Sequence, residues 1–425
     1  MREKNESKNE KALLVGFYAH GSDKSKCNEH LDELGLLVNT FGVEKVEKYP
    51  SFLQAINAAT YMGSGKLQEL VDHCKANEFD LIVIDEEISP AQQRNLEKAF
   101  EKPVMERSEV ILGVFAQRAQ TKEAQLQIEL ARAKYQLPRL KKLWTHLSRQ
   151  RGGASQSKGE GEKQLEIDKR LLDKQIIKLE KELKVVSKQR KTQRAKRLRS
   201  SIPTFAVIGY TNAGKSTLLK ALTDADVLVE DKLFATLDTC TKQFMLPGSQ
   251  QILLIDTVGF IRKLPHTLIA AFKSTLEESL YTDILVHVVD GSNPMALEQA
   301  EATLAVLKEL GADKKPTLTV INKVDLCENK AMIDRLRVKM PHSVQISAKN
   351  KEGFEDLFAM MKQFLAGTLK KVHLKIPQKD FKYFSEIMQK GTVLEKTYEG
   401  NDILVVAECP LNLASKLSRF ENKEF

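Results

Sequence analysis

The sequence predicts a multidomain α/β protein in which a long helical hairpin separates two α/β regions. Strand-like and helix-like patterns alternate over roughly the first hundred residues, and the same alternation resumes at Ser201. Between these regions, apolar residues follow the spacing of a coiled coil. A chain of 425 residues has room for about two to four domains. We place the boundaries at residues 1–115, 116–200, 201–368 and 369–425, the last of these a small α+β domain.

Composition excludes several classes of protein. Hydrophobic residues make up 42% of the chain and charged residues 29%, which is typical of a globular protein with sizeable cores. The net charge of +9 suits a polyanionic partner. No apolar run reaches the roughly 18 residues that a membrane span needs. Five dispersed cysteines indicate a reducing cytoplasm, without disulfides or a zinc site. We expect a cytoplasmic monomer, with peripheral membrane association as the open alternative.

The first region predicts a small parallel sheet with helices between its strands. Strands are expected at Ala12–Tyr18 and Asp80–Asp85, and helices at Cys27–Leu37 and Lys66–Ala76. Ser89 followed by Pro90 predicts the start of a third helix, with serine at the N-cap and proline in the first turn. The glycines and lysine of Gly63–Lys66 lack the full GxxxxGK spacing of a phosphate-binding loop, so we interpret this segment as a turn before a helix.

The middle region predicts an antiparallel pair of helices. One apolar seam comprises Leu126, Leu130, Ala133, Leu137, Leu140, Trp144 and Leu147, and a second comprises Leu172, Ile176, Leu179, Leu183 and Val186. Pro138 should kink the first helix. The glycine-rich stretch Arg151–Lys163 predicts a flexible loop between the helices. If it is continuous from Ile167 to Leu198, the second helix is about 48 Å long.

The end of the second helix is strongly basic. Lys181–Arg199 contains nine Lys or Arg residues and one Glu, which is almost the whole excess charge of the chain. Either this is a solvated helix face or it contacts a phosphate backbone. Both interpretations remain open at this point.

The third region predicts a doubly wound nucleotide-binding sheet. Its strands are expected at Thr204–Gly209, Gln251–Asp256, Ile284–Asp290, Thr317–Asn322 and Ser343–Ser347. In the tail that follows, Phe381–Met388 has a helical pattern and Ile403–Cys409 has the pattern of a strand.

A phosphate-binding loop is the strongest chemical signal. It has the GxxxxGKS form and comprises Gly209, Tyr210, Thr211, Asn212, Ala213, Gly214, Lys215 and Ser216. The loop directly follows an apolar strand and precedes a helical pattern at Ser216–Leu222, as a P-loop requires. Backbone N–H groups would wrap the phosphates, Lys215 would bridge the β- and γ-phosphates, and Ser216 would bind Mg²⁺. Asn212 could hold a monovalent cation, although capping of the loop is the simpler interpretation.

Three further fragments follow at strand ends, where open α/β sheets bind their ligands. They are Asp256, Thr257, Val258 and Gly259; Asn322, Lys323, Val324 and Asp325; and Ser347, Ala348 and Lys349. Asp256 can hold Mg²⁺ through water, and the Gly259 N–H can reach the γ-phosphate. The Asp325 carboxylate can accept from two N–H groups of guanine, a donor pair that adenine lacks. The order of the four fragments is that of the Ras-like GTPases, which bind GTP and GDP with Mg²⁺.

The first switch needs a threonine to complete the Mg²⁺ shell. Spacing alone leaves Thr236, Thr239 and Thr241 as candidates. Gly259 is followed by Phe260, where Ras-type enzymes have a glutamine that orients water. Because phenylalanine cannot bind water, we expect slow intrinsic hydrolysis that a partner accelerates.

These residues resemble one family closely, the HflX-type ribosome-associated GTPases. The likeness lies in long strings: Tyr61–Lys66, Ser89–Glu97, Phe115–Ala119, Leu137–Leu140, Arg151–Gly153, the P-loop, the segment Phe234, Ala235, Thr236, Leu237 and Asp238, and Asp256–Pro265. The resemblance makes Thr236 the preferred switch threonine and a second Mg²⁺ ligand, with Phe234–Asp238 as part of the GTP site. We therefore expect catalysis to depend on Lys215, Thr236 and Gly259. After Asp238 the family commonly has Pro-Thr-Thr-Arg, whereas this chain has Thr239–Lys242.

The resemblance also implies a function. It implies a factor that binds the large (50S) ribosomal subunit, inserts the hairpin loop near the peptidyl transferase centre and separates stalled or idle 70S ribosomes. It further implies that the ribosome, a large body of rRNA, stimulates hydrolysis. Two alternatives stay open: a GTPase linked to RNA modification or ribosome assembly, and a scaffold that binds GTP without turnover.

Overall fold

The computed structural model describes residues 10–149, 158–199, 202–223, 233–234, 240–247, 250–264, 268, 281–327, 330–366 and 369–422. These residues divide into two compact units. The first lies within Met1–Val185, Lys232–Phe234 and Lys263–Phe272, and the second within Val186–Asp231, Ala235–Arg262 and Lys273–Phe425.

A four-stranded parallel sheet forms the centre of the first unit. Its strands are β1 (Lys11–Tyr18), β2 (Lys45–Phe52), β3 (Leu81–Ile84) and β4 (Val104–Glu106), in the order β2-β1-β3-β4. The helices are α1 (Lys24–Phe41), α2 (Ser64–Ala76), α3 (Pro90–Phe100) and α4 (Arg107–Arg118). β1 and β3 are almost wholly buried, as parallel strands covered on both faces should be.

The predicted strands and helices of this unit are confirmed, and three elements were missed. β2 alternates charged and apolar residues around a proline at an edge of the sheet, β4 has only three residues, and α4 begins directly after β4. The predicted start of α3 is confirmed by a capping box. The Gln92 N–H donates to Ser89 Oγ at 3.3 Å, and the Ser89 N–H donates to Gln92 Oε1 at 2.8 Å.

Two long helices follow, α5 (Lys122–Arg149) and α6 (Lys158–Arg199). An ion pair of 2.8 Å between Lys134 and Glu180 joins them. α5 continues through Pro138. The predicted loop Arg151–Lys163 is wrong from Lys158 onwards, because α6 already begins there. The 42 residues of α6 give a length of about 63 Å rather than 48 Å. Lys158–Lys163 combines two glycines with lysines and glutamates, which favour helices enough to extend this one.

A six-stranded sheet forms the centre of the second unit. Its strands are β5 (Thr204–Gly209), β6 (Thr241–Leu246), β7 (Gln250–Asp256), β8 (Ile284–Asp290), β9 (Thr317–Asn322) and β10 (Ser343–Gln345), in the order β10-β9-β8-β5-β7-β6. All neighbours are parallel except β6 and β7. The helices described here are α7 (Lys215–Thr223), α8 (Ala296–Glu309), α9 (Lys330–Lys339) and α10 (Phe354–Ala366). The sequence missed β6, a half-exposed edge strand.

The tail forms an antiparallel sheet within the same unit. Strands β11 (Leu369–Pro377), β12 (Thr392–Glu399) and β13 (Asp402–Pro410) pair in the order β11-β13-β12, with helices α11 (Phe381–Lys390) and α12 (Leu411–Leu417). The predicted helix and strand are confirmed. β11 and β12 were missed because lysines and glutamates interrupt their apolar pattern. Among the described residues, no helix is both long and apolar enough to cross a membrane.

Candidate nucleotide-binding site

The P-loop connects β5 to α7 and requires glycine at two positions. Gly209 has φ +149°, and a Cβ atom added there would lie 2.2 Å from the carbonyl oxygen of Val288. Gly214 has φ +94°, and its added Cβ would lie 2.2 Å from Nδ2 of Asn322. A side chain at Gly209 would collide with the backbone of β8, and one at Gly214 would collide with Asn322. The loop leads directly into the first turn of α7, and the N-terminus of a helix suits an anion.

Lys215 is folded back onto this loop. Its side chain is 93% buried, and Nζ donates to the carbonyl oxygens of Gly209 at 3.2 Å and Tyr210 at 2.7 Å. Burial lowers the pKa of the Lys215 ammonium to about 8, although the nearby carboxylate of Asp256 opposes the shift. A phosphate group would supply a stronger acceptor than either carbonyl.

The segment Asp256–Gly259 lies directly against the P-loop. Asp256 is fully buried at the end of β7, and the Thr257 hydroxyl donates to the Val207 carbonyl at 2.7 Å. A Cβ atom added to Gly259 would lie 2.8 Å from Thr211 Cγ2, 2.9 Å from Lys215 Nζ and 3.1 Å from Thr211 Cα, so a side chain here would have to displace part of the P-loop.

Backbone hydrogen bonds continue this contact through Phe260. Its N–H donates to the Gly209 carbonyl at 3.0 Å, and its carbonyl accepts from the Thr211 N–H at 2.7 Å. The Phe260 side chain is 97% buried. It is therefore part of the core of the second unit rather than a group that could hold water.

Asn322 joins three of the predicted motifs. Its Nδ2 donates to the Ala213 carbonyl of the P-loop at 2.9 Å, and its Oδ1 accepts from the Ala348 N–H at 2.9 Å. Ser347 is fully buried, whereas Asp325 and Lys349 are exposed. The structure therefore brings together the P-loop, Asp256–Gly259, Asn322–Asp325 and Ser347–Lys349, with the Asp325 carboxylate available to a ligand.

Two residues near this site were missed by the sequence. Asp290, the last residue of β8, forms an ion pair of 2.7 Å with Lys323. Its position at a strand end beside Asn322 was the available signal. His287, also on β8, is 99% buried, and neither ring nitrogen has a hydrogen-bond partner among the described residues. Burial, and then the charge of Lys215, lower the pKa of His287 to about 4, so its imidazole is neutral at pH 7.

The candidate residues of the first switch are not brought together here. Phe234 belongs to the first unit, where its buried ring lies 4.4 Å from the ring of Phe115. Residues 235–239, with Thr236 and Thr239, lie outside the described residues. Thr241 is exposed at the start of β6, opposite Ile255.

The donor set suits Mg²⁺. Ser216 offers a hydroxyl in the first turn of α7, and Asp256 offers a buried carboxylate at a strand end. Hydroxyl and carboxylate oxygens are the ligands that Mg²⁺ prefers. No group of three or more His, Cys, Asp and Glu side chains that could hold a metal occurs within the described ranges. Since Mg²⁺ is usually bound by few protein ligands together with substrate phosphates, this arrangement fits a nucleotide-bound ion.

Three family models match consecutive parts of the chain. They describe a GTP-binding GTPase N-terminal region over residues 28–116, a GTP-binding GTPase middle region over residues 118–197, and a 50S ribosome-binding GTPase over residues 204–323. Among solved structures, a GTP-binding protein of Sulfolobus solfataricus in complex with GDP is 26% identical, with a TM-score of 0.43. The match covers 84% of this chain and 99% of that one.

Curated relatives match over nearly the full length. GTPase HflX of Chlamydia pneumoniae is 46% identical over 415 residues, which cover 96% of this chain and 88% of the relative. GTPase HflX of Escherichia coli K12 is 40% identical over 391 residues, covering 92% and 91%. The protein is a P-loop enzyme that hydrolyses GTP. The chain therefore belongs to the HflX family of GTPases.

Proposed function

We propose that this protein associates with the large ribosomal subunit, separates stalled or idle 70S ribosomes, and hydrolyses GTP faster when the ribosome is bound. The observation that carries this proposal is the nucleotide site assembled around residues 204–323, the segment that matches the 50S ribosome-binding GTPases. The full-length relatives, GTPases of the HflX family, support the same conclusion. We place the protein in the cytoplasm, where its ribosomal partner is found.

Phosphate binding depends on the P-loop. Its backbone N–H groups and the first turn of α7 hold the β- and γ-phosphates, and Lys215 exchanges the carbonyls of Gly209 and Tyr210 for phosphate oxygens. Charge that develops on the phosphates during hydrolysis is then met by a cation already desolvated. Gly259 lies beside Lys215, and its N–H would donate to the γ-phosphate.

Mg²⁺ and the guanine base would be held by different residues of the site. Ser216 would bind Mg²⁺ directly, Asp256 would bind it through water, and Thr236 is the proposed switch ligand. When bound, Mg²⁺ neutralises charge on the transferred phosphate. Asp325 accepts from guanine N1–H and N2–H₂, which selects GTP and GDP over ATP.

Slow intrinsic turnover follows from Phe260. Its buried ring cannot orient the attacking water, so a group or an ordering effect from the ribosome has to supply this function. Steady-state GTP hydrolysis with 50S, 30S or 70S particles tests this. We expect slow basal turnover that 50S and 70S raise and 30S does not. ATP and the Lys215→Ala variant serve as controls.

Two opposite outcomes would count against the proposal. Rapid GTP hydrolysis by the protein without ribosomes would contradict the prediction that Phe260 makes intrinsic hydrolysis slow. Lack of response to every ribosomal particle would favour a GTPase linked to RNA modification. Separation of subunits is tested directly by light scattering of 70S particles, which should fall on addition of protein and GTP but not of Lys215→Ala protein and GTP.

The basic end of α6 is the proposed rRNA contact. Lys181–Arg199 lies within this helix and carries nine Lys or Arg residues. Charge reversal at Arg190, Lys191 and Arg194 should weaken ribosome binding and flatten its dependence on salt, because fewer counterions are released. Reversal at the exposed Lys169, Arg170 and Lys174 of the same helix is the matched control. Equal binding by both triple variants at low and high salt would contradict this role.

A further inference from the structure

The carboxylate of Asp290 lies at the sheet edge that carries the nucleotide-binding motifs, where neighbouring residues hold it in place. Asp290 is 91% buried at the end of β8, and its Oδ2 lies 2.7 Å from Nζ of Lys323. Its Oδ1 accepts from the N–H of Ser292 at 3.0 Å and from the Ser292 hydroxyl at 2.6 Å. Both oxygens are therefore used, and only one of them contacts the lysine.

Backbone bonds fix Asp290 independently of Lys323. Asp290 is in register with Asn322 of β9, and the Gly291 N–H donates to the Asn322 carbonyl at 2.9 Å. Together with the bonds from Ser292, this hydrogen bond fixes the position of the carboxylate without any contribution from Lys323. The ammonium of Lys323 thus meets a preorganised negative charge.

Lys323 begins the turn that presents Asp325. Its backbone has φ 60°, the left-handed conformation, which is unfavourable for a residue with a side chain. The short helix Val324–Leu326 follows immediately, and the Leu326 N–H donates to the Lys323 carbonyl at 3.0 Å. The conformation of Lys323 therefore sets the direction in which Asp325 leaves the strand.

We propose that Asp290 is a positioning residue for recognition of the guanine base. It holds Lys323 through the ion pair, so that the turn at Lys323 keeps its left-handed conformation and Asp325 faces the base edge. The ligand class is the guanine nucleotide, whether diphosphate or triphosphate, because the pair lies at the base end and not at the phosphates. This inference rests on the base site proposed above.

The Asp290→Asn variant tests it. Asparagine keeps an oxygen for Ser292 but turns an amide toward the ammonium, so only the ion pair is lost. We expect the Kd for GDP and the Kd for GTP to rise by the same factor, about tenfold. At saturating GTP, kcat should stay within twofold. Fluorescent guanine nucleotides and steady-state hydrolysis measure these quantities.

A double-mutant cycle separates positioning from a merely structural role. If Asp290 acts through Lys323, then Asp290→Asn should change the Kd by less than about twofold in a Lys323→Met background. A carboxylate that only capped the turn at Ser292 would weaken binding equally in both backgrounds. Failure of Lys323→Met to weaken binding would likewise overturn the inference. Failure of Asp325→Ala to weaken binding of GDP would instead refute the proposed base site, which is a different result.

Asp283→Asn is the matched control. Asp283 precedes the other end of β8, and its Oδ2 accepts from the Thr204 N–H at 2.8 Å and from the Thr204 hydroxyl at 2.7 Å. It therefore makes similar hydrogen bonds away from the nucleotide-binding strand ends. We expect Asp283→Asn to leave the Kd for GDP unchanged. Wild-type affinity in Asp290→Asn, or an equal loss in both aspartate variants, would overturn the inference.

Discussion

The two parallel sheets of this protein have the same kind of edge but use it differently. In each sheet the strand order reverses beside the first strand, between β1 and β3 in the first unit and between β5 and β8 in the second. Open α/β sheets bind ligands at the strand ends of such a reversal. In the second unit that edge carries glycines and backbone N–H groups. In the first it carries charged side chains that neutralise one another.

The central group of the first edge is Arg107. It is 98% buried and pairs with Asp85 at 3.0 Å, directly after β3, and with Glu33 of α1 at 2.9 Å. The guanidinium thus satisfies two carboxylates where a ligand would sit in a binding fold. The comparison teaches that topology alone does not make a site. The strand ends at such a reversal bind an anion when their hydrogen-bond donors remain available to the ligand. They become part of the core when side chains of the protein use those donors.

Arg107→Met gives the largest expected effect. Methionine fills much of the volume but removes the buried cation from its pairs with Asp85 and Glu33, and the loss of one partner of a buried ion pair costs about 3–5 kcal/mol. We expect hydrogen exchange of β1 and β3 amides to speed up accordingly, while β5 and β8 keep their protection. Arg94→Met, an exposed arginine on α3, is the control. A loss below about 1 kcal/mol would mean that the pairs contribute little beyond packing.

The same contrast explains what the sequence could and could not predict. The P-loop, Asp256–Gly259 and Asn322–Asp325 are short strings whose function depends on local order, so spacing identifies them. Arg107 instead joins partners 22 and 74 residues away. No local pattern marks such pairs, and the same limit hid the Asp290–Lys323 pair.

Edge strands were missed for a related reason. β2 and β6 are half-exposed and most of β12 is exposed, so their apolar residues do not form the continuous runs that identified β1 and β8. The wrong loop before α6 shows the opposite error. Glycines there were given more weight than the helix-favouring residues between them, and a long helix with continuous hydrogen bonding tolerates single glycines at a cost of about 1 kcal/mol each.

His287→Leu should reduce the acid sensitivity of the second unit. The folded pKa of His287 is about 4 against an ordinary value of 6.5, so the unfolded chain binds more protons between these values. His287 therefore does not reduce the free energy of unfolding above pH 6.5. As the pH drops to 4, its effect lowers that free energy by up to about 3 kcal/mol. Hydrogen exchange of β5 and β8, corrected for its intrinsic pH dependence, measures this slope.

The variant should flatten the slope in the second unit and leave the first unit as it was. His342→Leu, at an exposed histidine, is the control and should leave the wild-type slope. If His287→Leu and the wild type lose stability in parallel below pH 6.5, then other groups cause the acid sensitivity. The buried imidazole of His287 would then not account for any difference in acid sensitivity between the two units.

The smallest predicted effect is the pH dependence of nucleotide affinity. Free Lys215 has a pKa of about 8, whereas bound phosphates would hold it protonated, so binding above pH 8 takes up a proton. The Kd for GDP should rise about tenfold from pH 7 to pH 9. Lys215→Arg keeps its charge throughout this range, so its Kd should change less, and the comparison cancels any titration of the base. If the Kd for GDP depends on pH equally in the wild type and in Lys215→Arg, then burial does not lower the pKa of the Lys215 ammonium. The strand ends of the second sheet would then differ from those of the first in geometry alone.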